Sequence, residues 1–203
     1  MKEFKIIGIS ISLVLSILFH FMYDIFPNTF FSIICPVNES VWEHMKLIVT
    51  SSLCFSIFEY IMYKKENILV NNFILSYAIS CLLGVIIYLV LYIPLDSIFG
   101  YKAYIAIFLL LIIFYFIQMI SYYIINKKEV KYGNYLGIIL IIIIYVIFGY
   151  LTYHPIKISL FYDNMHKCYG IMVIKRILQI LESQLQKNFN GLFYFSIVYS
   201  IKL

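Results

Sequence analysis

The stretch "IIGISISLVLSILFHFMYDIF", residues 6–26, decides the class of fold. It is apolar over a length that can cross a bilayer, since a spanning helix needs about 20 mostly apolar residues. Its ionisable side chains, His20 and Asp24, occur only at the far end. The run is too long for a signal peptide and no A-x-A-like cleavage site follows, so we interpret it as a retained transmembrane helix.

The composition of the whole chain agrees with a membrane protein. With 64% hydrophobic and only 12% charged residues, the chain cannot cover a soluble globule with polar surface. Further apolar runs of spanning length lie at about residues 42–63, 73–93, 104–124 and 135–153. We therefore predict an all-α integral membrane bundle of about five transmembrane helices, with short connections that place neighbours antiparallel and leave no room for a soluble domain.

The lysines between the predicted helices fall mainly on one side of the membrane. They are Lys2, Lys5, Lys64, Lys65, Lys127, Lys128 and Lys131. The positive-inside rule therefore places the N-terminus in the cytoplasm and "NESVWEH", residues 38–44, outside. The tail, residues 172–203, carries further basic residues, but its apolar stretch is too short for another span. We interpret residues 1–171 as the membrane domain and the tail as an amphipathic surface helix or a poorly ordered segment.

The second predicted helix begins within "CPVNESVWEHMKL", residues 35–47. Ser40 followed by Glu43 matches a capping box, and Asn38 is a competing N-cap. Glu39 and Glu43 lie one turn apart if the helix reaches back to Glu39, and the two carboxylates then repel unless Lys46 or a cation compensates. Because ionisable groups at membrane depth usually face a cavity, the segment indicates either a polar pocket or a capped, solvated helix entrance.

The predicted topology gathers further polar side chains at the same outer face. The first helix ends with His20 and Asp24 one turn apart, and the fifth is followed by a loop that could cover the pocket. The candidate pocket residues are His20, Asp24, Asn38, Glu39, Glu43, His44, Lys46, His154, Tyr162 and Asp163. Short outer loops must be polar somewhere, so the same clustering is also expected without any shared site.

Two smaller expectations concern residues outside this set. Glu59, near the predicted cytoplasmic end of the second helix, is expected to pair with Lys64 or with a tyrosine. Cys35 and Cys168 both lie on the predicted outer side and form a disulfide if they approach each other.

Three segments carry a resemblance to a known family: "PVNESVWEHMKL" at 36–47, "HFMYD" at 20–24 and "LFYD…YGI" between 160 and 171. The chain resembles a family of small, uncharacterised multi-pass membrane proteins of Gram-positive, largely clostridial, bacteria, over about residues 6–171. The resemblance implies a bacterial plasma-membrane protein and supplies no activity. Here "DNMHKCY", residues 163–169, departs from the more turn-like sequence expected, and the tail resembles an addition.

The residues leave two functions open. In the first, the outer cluster binds a small polar ligand or ion. In the second, Glu43, His44 and groups from His20, Asp163 or His154 hold a divalent metal and hydrolyse a lipid-linked or envelope substrate, with a glutamate as general base. Familiar catalytic and nucleotide signatures are absent from the sequence, which favours binding. The expected partner is the lipid bilayer rather than nucleic acid, because loop and tail lysines account for the net charge of +5.

Overall fold

A computed structural model describes residues 2–100 and 103–171, together with residue 181. Its helices are α1 (Lys2–Ile25), α2 (Thr29–Ile34), α3 (Val41–Lys65), α4 (Phe73–Phe99), α5 (Ala103–Ile125) and α6 (Gly133–Tyr153). A short 3₁₀ helix (Ser159–Phe161) then leads into a two-stranded antiparallel hairpin, β1 (Tyr162–Asp163) and β2 (Cys168–Tyr169). Apart from residue 181, the predicted tail lies outside the described residues.

The predicted all-α bundle is confirmed. Five helices, all except α2, are long and apolar enough to cross a membrane. The short α2 was not predicted; it starts where the Asn28 side chain accepts the Phe31 N–H at 3.0 Å. The third predicted run stopped before Pro94, whereas α4 continues through that proline to Phe99.

Contacts between distant residues show how the long helices run. Near the start of α1, Lys5 contacts Glu59 toward the end of α3 and Ser121 toward the end of α5. Near the end of α1, His20 lies against His44 in the first turn of α3, with ring centroids 5.3 Å apart. Helix α1 is therefore antiparallel to α3 and α5. We call the two ends of the bundle the Glu39 end and the Lys64 end.

Small side chains let the helices approach closely. Gly8, Ser12 and Ser16 form a buried stripe along α1, and a Cβ on Gly8 would lie 2.4 Å from the Phe55 ring of α3. A Cβ on Gly137 in α6 would lie 2.6 Å from the backbone nitrogen of Leu75 in α4. Small residues at helix contacts are typical of membrane bundles, where lipid offers no hydrophobic drive for association.

A buried ion pair lies inside the bundle toward the Lys64 end. Lys5 Nζ is 2.7 Å from Glu59 Oε2, and Glu59 also accepts hydrogen bonds of 2.8 Å from the hydroxyls of Tyr63 and Tyr77. The expectation that a tyrosine would pair with Glu59 is confirmed, but Lys64 was the wrong lysine. Lys64 lies over the Tyr60 ring instead, because it projects from the last, exposed turn of α3.

Candidate functional site

The Glu39 end is built around the turn that precedes α3. Ser40 is the N-cap of this helix, and its Oγ accepts the Glu43 N–H at 3.4 Å. The reciprocal half of the predicted capping box is replaced: the Asn38 side chain accepts the Ser40 N–H, while Glu43 reaches Val37 N–H at 3.1 Å. Asn38 takes this position because its short side chain folds back on its own turn. The glutamate is thereby directed into the bundle.

The hairpin after α6 is fastened to this turn. Asn38 Nδ2 donates to Gly170 O at 2.7 Å, and Glu39 N–H donates to Asp163 Oδ2 at 2.9 Å. Asp163 is fully buried and also accepts the N–H groups of Met165 and His166. Burial raises the pKa of Asp163, but these hydrogen bonds outweigh it and hold the pKa below its usual range. Asp163 is therefore a carboxylate anion, and in this form it holds the backbone of Glu39 in position.

Three candidate ligand atoms meet above this turn. His20 comes from α1, His44 from α3 and Glu39 from the turn, and their ligand atoms all lie within 4.8 Å of one another. His20 Nε2 is 3.5 Å from Glu39 Oε1, and His44 Nε2 is 3.4 Å from Glu39 Oε2. Each side chain is partly buried, with 15–25% of its surface exposed. Two imidazoles and one carboxylate therefore share one small volume.

The tautomer of His44 follows from its other contact. Its Nδ1 lies 2.9 Å from the carbonyl oxygen of Ser40, which can only accept a hydrogen bond. Nδ1 therefore carries a proton, and a neutral His44 presents the Nε2 lone pair to the Glu39 carboxylate. Two acceptors facing each other repel, and a positive charge between them, either a proton on Nε2 or a metal ion, removes this repulsion.

The two histidines hold Glu39 as an anion. The His44 imidazole holds the pKa of Glu39 below its usual range, and His20 acts in the same direction. Burial and the neighbouring Asp163 oppose the two histidines without cancelling them. Glu39 is therefore an anion near neutral pH, available to a cation.

A second polar cluster lies deeper, between α2, α3 and α6. Lys46 Nζ donates to Glu43 Oε2 at 2.5 Å, to Thr152 Oγ1 at 2.7 Å and to Ser32 O at 2.7 Å. Thr152 in turn donates to the other Glu43 oxygen at 2.8 Å. Lys46 thus compensates the charge of Glu43, which was one of the alternatives that the sequence left open. Its ammonium also lies at the carbonyl end of α2, where a positive charge is favourable. Both side chains are almost fully buried and serve to hold three helices together.

The ten predicted pocket residues thus fall into separate places. His20, Glu39 and His44 converge, with Asn38 and Asp163 fixing the backbone around them, whereas Glu43 and Lys46 form the deeper cluster. Asp24 is exposed one turn beyond His20, and His154 is exposed with its ring 5.1 Å from Tyr150. The sequence interpretation missed Thr152, since a threonine in an apolar helix carries no distinctive pattern.

Tyr162 belongs to a groove of about 330 Å³ that adjoins Glu39. One wall is the end of α4, with Tyr92, Ile93 and Asp96, and the other is the segment from the 3₁₀ helix into the hairpin. The groove is wide enough for part of a small molecule, and one side of it opens beside exposed Ile93.

The cysteines at this end are not bridged. Cys35 and Cys168, like Cys54 and Cys81, are thiols in the described part of the chain, so the conditional disulfide does not form. Cys35 is fully buried below the turn, and burial raises the pKa of its thiol to about 12 despite the nearby Lys46 ammonium. Cys168 lies on β2 and is partly exposed.

Comparisons with known proteins give one positive finding. No curated protein and no solved structure matches the chain significantly. A family model, described as a family of unknown function, matches residues 1–171, which include every residue of the His20–Glu39–His44 cluster and of the groove. The match ends where the predicted tail begins. The chain therefore belongs to the family of unknown function DUF6512.

Proposed function

We propose that this protein is a multi-pass protein of a bacterial plasma membrane that binds a divalent transition-metal ion at its extracytoplasmic face. The ligands are His20, Glu39 and His44, and the Glu39 end faces outside, as the positive-inside rule requires. One observation carries the proposal: His44 has its Nδ1 proton fixed by Ser40 O while its Nε2 faces the Glu39 carboxylate. A cation between these atoms removes their repulsion.

The spacing of the ligand atoms favours a metal ion over a proton. An ion pair made by a shared proton brings nitrogen and oxygen to about 2.7–2.9 Å. The two gaps here are 3.4 and 3.5 Å. Ligands at zinc distances of 2.0–2.2 Å in a tetrahedron stand about 3.4 Å apart. Imidazole and carboxylate together suit zinc and its neighbours among the transition metals.

Elemental analysis tests this proposal. Wild-type protein, dialysed against zinc and then against metal-free buffer, should retain about one zinc per chain. Glu39→Gln keeps the side-chain shape but removes the charge, and His44→Ala removes a ligand, so both variants should lose the metal. His154→Ala is the matched control, because it alters an exposed group at the same end and should retain the metal. Metal-free wild-type protein, or retention by Glu39→Gln, contradicts the proposal.

A second candidate function is metal-dependent hydrolysis of a lipid or envelope substrate. The groove beside Glu39 favours it, because catalytic zinc sites pair three protein ligands with an open position that substrate or water can reach. In such an enzyme His20, Glu39 and His44 would hold the metal, which would supply a water of lowered pKa. Asp163 then keeps Glu39 in place through its backbone N–H.

The hydrolase candidate is tested separately. Zinc-loaded wild-type protein and Glu39→Gln are placed in vesicles of bacterial lipid extract, and the lipids are compared by mass spectrometry over time. Loss of one lipid with release of its fragment in the wild type alone supports hydrolysis. Identical lipids in both samples, with the wild type shown to contain zinc, leave metal binding standing and exclude hydrolysis of the lipids present.

A further inference from the structure

The groove beside Glu39 has an unusual combination of linings. Its charged members are both acidic, Glu39 and Asp96, and the described lining residues include no lysine, arginine or histidine. Tyr92 and Tyr162 contribute aromatic rings, and Tyr92 donates a hydrogen bond to Asp96 Oδ1 at 3.5 Å. Carboxylates beside aromatic faces form the environment that attracts organic ammonium groups, by charge and by cation–π contact.

The rest of the lining is apolar and reaches the lipid-facing surface. Val41 and Leu160 lie along the groove, while Ile93 and Met165 are 54% and 67% exposed at its edge. Ile93 lies on α4, one of the helices long and apolar enough to span the membrane. The groove therefore joins a polar, acidic end to an exposed apolar surface on a helix long enough to span the membrane.

We propose that this groove binds a membrane lipid with a cationic amine in its headgroup, taken from the leaflet at the Glu39 end. The ammonium lies between Asp96 and the rings of Tyr92 and Tyr162, and the acyl chains leave past Ile93. Charge complementarity selects this occupant, since an anionic headgroup meets two carboxylates in the groove. Glu39 lines the groove and is also a proposed metal ligand, whereas Asp96 lines the groove and is not one, so Asp96 is the carboxylate whose role here does not depend on a metal.

The chain carries its own reporter for this site. Trp42 is the sole tryptophan, and its ring centroid is 4.8 Å from that of Phe161, whose sequence neighbours Leu160 and Tyr162 line the groove. A brominated acyl chain held there should quench Trp42 fluorescence. The full chain is reconstituted in an uncharged carrier lipid. The carrier contains no phosphatidylcholine, because choline is itself a cationic amine. Small fractions of brominated phosphatidylethanolamine or brominated phosphatidylglycerol are then added.

The expected result is stronger quenching by the ethanolamine lipid, with an apparent affinity about three- to tenfold above that of the glycerol lipid, as for one cation–π contact and one partly screened ion pair. Asp96→Asn removes the ion pair and should therefore reduce this preference, leaving at most the contribution of the cation–π contact. Asp24→Asn, which removes an exposed carboxylate at the same end outside the groove, should preserve it. Both brominated lipids carry a phosphate, which a bound metal could contact. Repeating the titration with a chelator removes that metal and leaves only the binding that is due to the groove.

Three outcomes overturn the proposal. Equal quenching by the two lipids shows that the groove does not select the amine. A preference for the glycerol lipid, or one that disappears with chelator in the wild type, assigns the contact to a phosphate at the metal. A preference that Asp96→Asn leaves unchanged places the amine elsewhere. Circular dichroism of both variants confirms that each is folded.

Discussion

The Lys5–Glu59 pair gives the sharpest stability prediction. Both side chains are almost fully buried, and the carboxylate has three donors while the ammonium also donates to Ser121 at 2.8 Å. Lys5→Met leaves an uncompensated carboxylate among apolar helices, and Glu59→Gln leaves an uncompensated ammonium. Removing one partner of a buried pair typically costs about 3–5 kcal/mol.

The double variant separates pairing from packing. If the charges interact, Lys5→Met/Glu59→Gln leaves no buried charge and costs no more than one single change, so the coupling is about 3 kcal/mol or more. Tyr63 and Tyr77 donate to different oxygens of Glu59, so in the glutamine variant one hydroxyl keeps the amide oxygen as its acceptor and the other must accept a hydrogen bond from the amide NH2. Lys64→Met is the matched control, because that exposed lysine only covers a tyrosine ring and its loss should cost less than about 1 kcal/mol.

The assay is reversible unfolding in mixed micelles with increasing SDS, followed by circular dichroism. The four proteins of the cycle and the control are measured under one condition, so that differences in the free energy of unfolding are comparable. Single changes whose effects add within about 0.5 kcal/mol would refute the charge pairing, whatever their size.

Three other predictions follow from packing, titration and topology. Gly137→Ala should destabilise the bundle by about 1–3 kcal/mol because its Cβ meets backbone, whereas Gly149→Ala, with its nearest neighbour at 3.4 Å, should be close to neutral in the same SDS unfolding. Asp163 has a lowered pKa in the folded state, so its stabilising contribution is complete above the unfolded value of about 3.9 and is lost as pH falls below it. The difference in melting temperature between wild type and Asp163→Asn should therefore shrink below about pH 4, and a difference independent of pH contradicts the titration. A membrane-impermeant thiol reagent should label Cys168 in intact cells and leave buried Cys35 unlabelled; labelling only after the cells are opened inverts the topology.

The spanning helices were predictable because their signal is local. Residues that face lipid must be apolar along a whole run, as in residues 135–153, and length then sets the ends to within a few residues. The short α2 escaped this reasoning, since six residues beside Asn28 carry no periodic pattern.

The candidate site was predictable only as a set of residues at one end of the bundle. Helix ends and the positive-inside rule place His20, Glu39 and His44 together, but they cannot show which side chains touch. Glu43 lies four residues from Glu39, yet its side chain points into the bundle because Lys46 and Thr152 donate hydrogen bonds to its carboxylate. The Lys5–Glu59 contact joins residues 54 positions apart, and its existence depends on how α1 packs on α3.

The buried pair has a consequence for the order in which the chain is assembled. Of the five spans, α3 has the lowest mean hydropathy, and Glu59 lies within it. Alone in lipid, α3 would expose the Glu59 carboxylate, whose hydrogen-bond donor within α3 is Tyr63. Helix α3 is therefore more stable in the bilayer when α1 lies beside it and supplies Lys5. Tyr77 and Ser121 belong to helices that the ribosome makes later. We therefore expect α1 and α3 to leave the insertion machinery as a unit, before the remaining partners of that unit have been synthesised.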